Sequence, residues 1–244
     1  MKDRQGRVPR LFVDADLKAQ TRLALPENAA HHAARVLRLR EGDAAVLFDG
    51  RGGEYEARLS MPGRGHVVAE IGEWRDIERE SSLAVTLVQA VSSGEKMDFT
   101  IQKAIELGVA GIQPLLTVKS VVRLSAEREA KKLAHWKRVA IAACEQCGRN
   151  RIPDIAEPVP LDRYKAPAGV SKILLSPAGA QALAGLAKGP AALAVGPEAG
   201  FSAEEERLLE RAGFVPVRLG ARILRTETAA LAALAALNAL AGDF

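Results

Sequence analysis

Two cysteines, Cys144 and Cys147, are all that 244 residues contain. They form one C-x-x-C without a second pair or nearby histidine ligands, so two reduced thiols one turn apart on a helix are expected, not a metal site or redox centre. Aromatic residues make up 4% of the chain, too few for a broad base-stacking platform. No stretch is long and apolar enough for a membrane span. The opening MKDRQGRVPR is charged and no apolar stretch follows it, which argues against a signal peptide and for a cytoplasmic protein. The sequence also lacks G-x-G-x-x-G opening a βαβ unit, G-x-x-x-x-G-K-[ST], H-E-x-x-H and G-x-S-x-G. Dinucleotide binding, P-loop nucleotide binding and the corresponding hydrolases thereby lose their signatures.

What is present describes an ordinary globular protein, 48% hydrophobic and 26% charged, long enough for one large domain or two smaller ones. The net charge of +4 is unevenly spread. Residues 119–151 hold nine Lys or Arg against three Glu, and the first ten residues carry four basic groups against Asp3. A basic stretch of this kind fits a nucleic-acid footprint or a solvated helix face, and charge alone does not choose between them.

Residues 1–78 are expected to form a small domain. Residues 28–39 have helical spacing, and strand candidates follow at 44–48, 54–60 and 66–71, separated by Gly-rich hairpin loops at 49–53 and 61–65. Short strands at close spacing suggest a small barrel. From 79 to 244 strands alternate with helices: strands at 83–91, 112–116, 172–176, 191–195 and 215–219, and helices at 96–107, 125–147, 180–188 and 227–240. That alternation implies a mostly parallel sheet covered on both faces. The last helix is apolar nearly all round, so it must be buried within the monomer or against a second subunit.

Two transitions near the C-terminus concentrate chemistry. Residues 191–195 run into Gly196-Pro197-Glu198-Ala199-Gly200-Phe201, and Ser202 with Glu205 forms a capping box that starts the next helix. Residues 215–219 run into Gly220-Ala221-Arg222-Ile223-Leu224-Arg225, then a helix opened by Thr226 and Glu227. Both loops fall at the carboxyl ends of strands, where open α/β sheets bind ligands. Gly196, Gly200 and Gly220 let the main chain approach a ligand closely, so backbone amides and carbonyls can hydrogen-bond a base edge.

GPEAGFS and LGARILRTETA resemble the signature of the RsmE family, ribosomal RNA uridine N3-methyltransferases of the trefoil-knotted SPOUT class. Further matches are R-x-F at Arg10–Phe12, His31-His32, V-L-R-x-x-x-G-D at 36–43, K-x-D-x-x-I-Q-K-A-x-E-L-G-V at 96–109, and E-Q-x-x-R followed by P-x-I at 145–155. Ala199 departs from the pattern, since the family has glycine there. A positive φ at that position would strain alanine by roughly 1 kcal/mol.

The resemblance implies an α/β fold, a trefoil-knotted SPOUT methyltransferase domain with a mostly parallel sheet, preceded by a PUA-like β-barrel that docks RNA. It implies that the last helix is threaded through a loop and helps build a homodimer. The implied cofactor is S-adenosylmethionine (SAM), contacted mostly through backbone at Leu175, Val195, Gly196, Gly200, Leu219, Gly220, Ile223 and Leu224. The implied substrate is a specific uridine of 16S ribosomal RNA, near the decoding centre of the small ribosomal subunit.

Uridine N3 normally carries a proton, so catalysis reduces to in-line positioning and to favouring the anion. Arg225 is the candidate to stabilise negative charge on a uracil oxygen, against a purely structural salt bridge to Glu198 or Glu227. Glu198 is a candidate base or loop-orienting group, and Glu227 favours a helix N-terminus. RNA contacts are expected from Arg7, Arg10, Arg38 and Arg40 in the first domain and Lys103, Arg149 and Arg151 in the second. No metal is called for. Alternatives are a SPOUT enzyme acting on another RNA base and a non-catalytic ribosome-assembly protein.

Overall fold

The computed structural model describes residues 8–63, 65–120, 126–186, 188–241 and 244. Arg7, an expected RNA contact, lies outside them. The chain divides into two compact units: Met1–Glu80 with Cys144–Ile152, and Ser81–Ala143 with Pro153–Phe244.

The first unit contains β1 (Arg10–Phe12), β2 (Thr21–Ala24), α1 (Glu27–His31), β3 (Ala44–Phe48), β4 (Glu54–Gly63) and β5 (His66–Arg75). They make a five-stranded sheet in the order β1-β3-β4-β5-β2, antiparallel except for β1 beside β3. Where a barrel is expected, β1 and β2 stand as the two ends of the hydrogen-bonded path among the described residues. Alternate residues of β4 and β5 point inward, as a pleated strand requires, and Leu59, Val67, Ala69 and Ile71 meet Ala29, Ala30 and Ala33 in one core. The helix expected over 28–39 stops being α-helical at His31. A π-helical turn covers His32–Val36, with the Leu37 amide donating to the His32 carbonyl at 2.9 Å, and Arg38 at φ 56° ends it.

Buried charge fastens Cys144–Ile152 within this unit. Glu54, 6% exposed, accepts hydrogen bonds from Arg10 at 2.5 Å, Arg79 at 3.1 Å and Asn150 at 3.2 Å. Arg10 also donates to the Asn150 side chain at 2.5 Å and stacks 4.8 Å from the Phe48 ring centroid. Arg149 pairs with Glu80. Glu145 Oε1 accepts from the Phe12 amide at 3.0 Å and lies 3.1 Å from His32 Nδ1. Burial pushes the Glu54 carboxyl toward neutrality, but the bonds from Arg10, Arg79 and Asn150 outweigh it and hold the pKa below its ordinary value.

The second unit contains β6 (Val85–Ala90), α2 (Gly94–Glu106), β7 (Gly111–Leu116), most of α3 (Ala126–Cys147), β8 (Asp154–Ile155), β9 (Val159–Pro160), β10 (Ser171–Leu175), β11 (Ala191–Val195), α4 (Ala203–Arg211), β12 (Val215–Val217) and α5 (Thr226–Ala241). The sheet is parallel throughout, in the order β12-β10-β11-β6-β7-β8, with β9 also against β7. All five residues of β11 are buried, as expected of a central parallel strand covered on both faces.

Two expectations change. The helix expected over 180–188 is absent among the described residues; Leu183–Gly185 make a single 3₁₀ turn. Gln181 bridges Val217 in parallel, and a Cβ on Gly179 would lie 2.6 Å from the Val217 backbone, so the chain is drawn against β12 instead of coiling. In α5, Ala230, Ala233, Leu234 and Leu237 are buried, but Leu240 is 51% exposed. Its one buried amide, Asn238, donates to the Leu107 carbonyl at 2.6 Å and so satisfies the end of α2.

Removing the Glu54 charge leaves Arg10 uncompensated in a buried site. Glu54→Gln is expected to lower unfolding free energy by about 3 kcal/mol, read by urea titration. Because the folded pKa of Glu54 is lowered, its contribution is present above the ordinary carboxylate range and is lost as pH falls through the folded value. The variant should therefore show a shallower loss of stability on the acid side. His32 behaves oppositely: its bond to Glu145 raises the pKa above 6.5 against the opposing effect of burial. An NMR titration should find it elevated, and Glu145→Gln should bring it down.

Candidate active site

The carboxyl ends of β10, β11 and β12 lie side by side, because Ile173, Leu174 and Leu175 pair with Val215, Pro216 and Val217 on one side while Ile173 and Leu174 pair with Leu193 and Ala194 on the other. The three loops that leave these ends enclose a cavity of about 310 Å³, at the small end of the roughly 300–1,000 Å³ typical of small-molecule sites. Of the residues expected to hold a cofactor, Leu175, Val195, Gly196, Gly200, Leu219, Ile223 and Leu224 line it. Gly220, at φ 70°, lies outside the wall and serves the turn instead. Ser176, Arg218, Arg222 and Thr226 also line the cavity and were not anticipated. The sequence signal for Thr226 was its place at a helix start; nothing comparable marks the two arginines.

The β11 loop is folded tightly on itself. A Cβ at Gly196 would sit 2.9 Å from the Phe201 amide nitrogen and 3.2 Å from its ring, so this position has no room for a side chain. The Gly200 amide donates to the Pro197 carbonyl at 2.8 Å, closing a turn whose positive φ, 68°, falls on Gly200. Ala199 is not among the positive-φ residues, so the strain conditional on such a φ does not arise. The capping box is present: Ser202 Oγ accepts from the Glu205 amide at 3.2 Å and Glu205 Oε2 from the Ser202 amide at 2.7 Å. The other Glu205 oxygen accepts from the Val118 amide at 2.8 Å, and Lys119 donates to the Ala199 and Phe201 carbonyls at 3.3 and 3.2 Å.

Glu198 is held at the N-terminus of α2. Its Oε1 accepts from the Ser93 amide at 3.1 Å and from Lys96 at 3.3 Å. Burial raises its pKa, but the backbone amides and Lys96 outweigh burial and hold the carboxyl below its ordinary value. A carboxylate stabilised in this way is a weak base and a good anchor. Arg225 is exposed and pairs with neither Glu198 nor Glu227 among the described residues. It stands outside the cavity wall between Leu224 and Thr226, both of which line it. Thr226 donates to the Gly196 carbonyl at 2.6 Å and so joins the β11 loop to the start of α5.

The expected RNA contacts separate into two groups. Arg10 and Arg149 have side chains only 12% and 4% exposed and are bound in the Glu54 and Glu80 ion pairs. Guanidiniums buried in this way are not presented to a phosphate, so both are reassigned to structural roles. Arg38 and Arg40 are exposed; Arg151 is exposed beside Glu78 at 3.3 Å, and half-buried Lys103 pairs with Glu106 at 2.8 Å. Cys144 is buried, and burial followed by the neighbouring Cys147 pushes its pKa up to about 12, well away from a reactive thiolate. No cluster of three or more His, Cys, Asp or Glu suited to a metal, and no helix long and apolar enough to cross a membrane, occurs among the described residues.

Residues 79–238 match the family model of an RNA methyltransferase domain, and residues 25–72 that of an RNA methyltransferase PUA domain. Ribosomal RNA small subunit methyltransferase E of Buchnera aphidicola subsp. Schizaphis graminum is 33% identical over 97% of this chain and 98% of its own length. That of Bacillus subtilis is 33% identical over 85% and 86%. The crystal structure of the Neisseria gonorrhoeae ribosomal RNA small subunit methyltransferase E, bound to SAM, superposes with a TM-score of 0.89 at 39% identity, covering 96% of this chain and 98% of that one. A Legionella pneumophila protein solved with bound SAM gives a TM-score of 0.92 at 40% identity over the same shares. The chain belongs to the ribosomal RNA small subunit methyltransferase E family.

Proposed function

We propose that this protein transfers a methyl group from SAM to N3 of a specific uridine in 16S ribosomal RNA, acting as a homodimer on the small ribosomal subunit. The observation that carries the reading is the cavity enclosed by the three loops at the carboxyl ends of β10, β11 and β12. Its walls suit the cofactor. Apolar side chains at Val195, Leu219 and Leu224 offer a dry surface, and Gly196 and Gly200 put two residues without side chains in its wall, where main chain takes the place of side chain toward a base edge. Leu175, Gly196, Gly200 and Ile223 complete the set of residues that would hold it, with Gly220 shaping the loop.

When bound, SAM supplies a methyl group on a sulfonium, an electrophile that needs no activation by the protein. What remains for this chain is to orient the uracil and favour the N3 anion. Arg225, exposed and free of either neighbouring glutamate, is the group to stabilise negative charge on a uracil oxygen, as a planar donor fork suits. Glu198, committed to Ser93 and Lys96, holds the loop instead of taking the proton. Exposed Arg38, Arg40 and Arg151 are the cations for the RNA backbone, with Lys103 as a further contact. Phosphate contacts of this kind position the substrate without reading its sequence and make affinity fall with salt.

The deciding experiment incubates the protein with labelled SAM and small subunits lacking the modification, with naked ribosomal RNA and transfer RNA in parallel, followed by nucleoside analysis. N3-methyluridine on the subunit is the expected product; SAM binding with product only on transfer RNA would move the activity to another substrate. Arg225→Ala is expected to lower kcat at least a hundredfold while SAM affinity, measured by calorimetry, stays within about twofold. Equal loss of both would make Arg225 a cofactor-site residue. Gly196→Ala, which drives a methyl into the Phe201 backbone, is expected to abolish SAM binding.

A further inference from the structure

Gln89 stands on β6 opposite Val195, the last residue of β11, and is completely buried. It lines no part of the cavity, yet its amide reaches the loops that do. Gln89 Nε2 donates to the Ala90 carbonyl at 3.0 Å and to Thr226 Oγ1 at 3.0 Å, and Thr226 Oγ1 donates to the Gly196 carbonyl at 2.6 Å.

The direction of every proton in this chain is fixed by its two ends. A carbonyl only accepts, so the Gln89 atom facing Ala90 must be the nitrogen, which also points nitrogen at Thr226. A threonine hydroxyl has one proton. With one of its lone pairs taken by Gln89, that proton is directed to the Gly196 carbonyl, its other hydrogen-bond partner among the described residues. The cost of the arrangement is visible: Gln89 Oε1 is buried without a hydrogen-bond partner among the described residues. A side chain holding its oxygen unsatisfied in order to present both amide protons is fixed by those two protons.

We infer that Gln89 is a positioning residue of the methyl-donor site: through Thr226 it locks the Gly196 carbonyl and thereby fixes the β11 and β12 loops relative to each other. The inference rests on the reading of the cavity as the SAM site. Gly196 is the residue at which the β11 loop turns back onto Phe201, and Thr226 follows directly on the loop that carries Leu219, Ile223 and Leu224. One hydroxyl therefore sets the separation of two walls of the cavity, and one buried amide orients that hydroxyl.

The test uses the full-length protein and four variants: Gln89→Met, Thr226→Val, the double variant, and Thr226→Ser, which keeps the hydroxyl. SAM affinity is measured by calorimetry, KM for SAM and kcat by methyl transfer, and folding by thermal melting. Gln89→Met and Thr226→Val should each weaken SAM binding about tenfold and raise KM for SAM in parallel, with kcat at saturating SAM within twofold. Thr226→Ser should stay within twofold of the parent, and the double variant should be no weaker than the worse single variant, because both break the same chain. Single variants that bind SAM like the parent, losses that multiply to about a hundredfold in the double variant, or melting temperatures that fall while affinity holds would each overturn the inference. Should Thr226→Val fail to fold, Thr226→Ala carries the same comparison. If the unmodified protein binds no SAM, the functional reading fails, a result distinct from normal binding by the variants.

Discussion

The hydrogen bond from Thr226 to the Gly196 carbonyl is the constraint around which the C-terminal part of this protein is arranged. Parallel pairing of β10 with β11 and β12 brings three loop origins to one edge of the sheet. Strand pairing alone does not dictate where the loops go afterwards. The Thr226 bond ties the first loop residue after β11 to the first residue of α5, and the burial of α5 through Ala230, Ala233, Leu234 and Leu237 anchors that tie in the core. A cavity bounded by loops thus has rigid attachment on both sides, which is how flexible connections come to hold a ligand precisely enough for group transfer.

Around that bond the β11 loop is gripped from two further directions. Glu198 reaches the N-terminus of α2, where amide and ammonium donors keep it ionised. Lys119 and the Val118 amide hold Ala199, Phe201 and Glu205. Glu205 is shared, one oxygen closing the capping box and the other holding Val118. Glu198 and Glu205 are thus used for internal positioning, and the groups left to meet a ligand are main-chain atoms, apolar side chains and the polar side chains of Ser176, Arg218 and Arg222 in the cavity wall, with Arg225 exposed just outside it.

Much of this was legible in the sequence. β11 is legible at its full extent because a buried parallel strand is an unbroken apolar run, and the start of α4 because Ser202 and Glu205 satisfy a local rule that no tertiary contact overrides. The Gly-rich loops marked the cavity because close approach demands glycine at 196. The helix expected over 180–188 gives way because the pairing of Gln181 with Val217 of β12, a tertiary contact, is not written in the local sequence. Arg10 and Arg149 are not legible as structural residues because a cation looks the same in a sequence whether it faces solvent or a carboxylate; Glu54, the partner of Arg10, sits in an ordinary alternating strand, and Glu80, the partner of Arg149, in a polar connection. Gln89 left no trace, since one polar residue in an apolar strand does not reveal what it faces.

The position of the positive φ in the β11 turn has a consequence for how the site forms. Because Gly200 takes the left-handed conformation and residue 199 does not, alanine at 199 keeps a shape it adopts readily, while removing conformations a glycine would sample when the chain is unfolded. Replacing glycine by alanine at such a compatible position stabilises a fold by about 0.4–1 kcal/mol through the entropy of the unfolded chain. The chain of this protein therefore starts folding from a narrower ensemble at this turn than one with glycine there, and gives up less freedom in reaching the shape that walls the cavity.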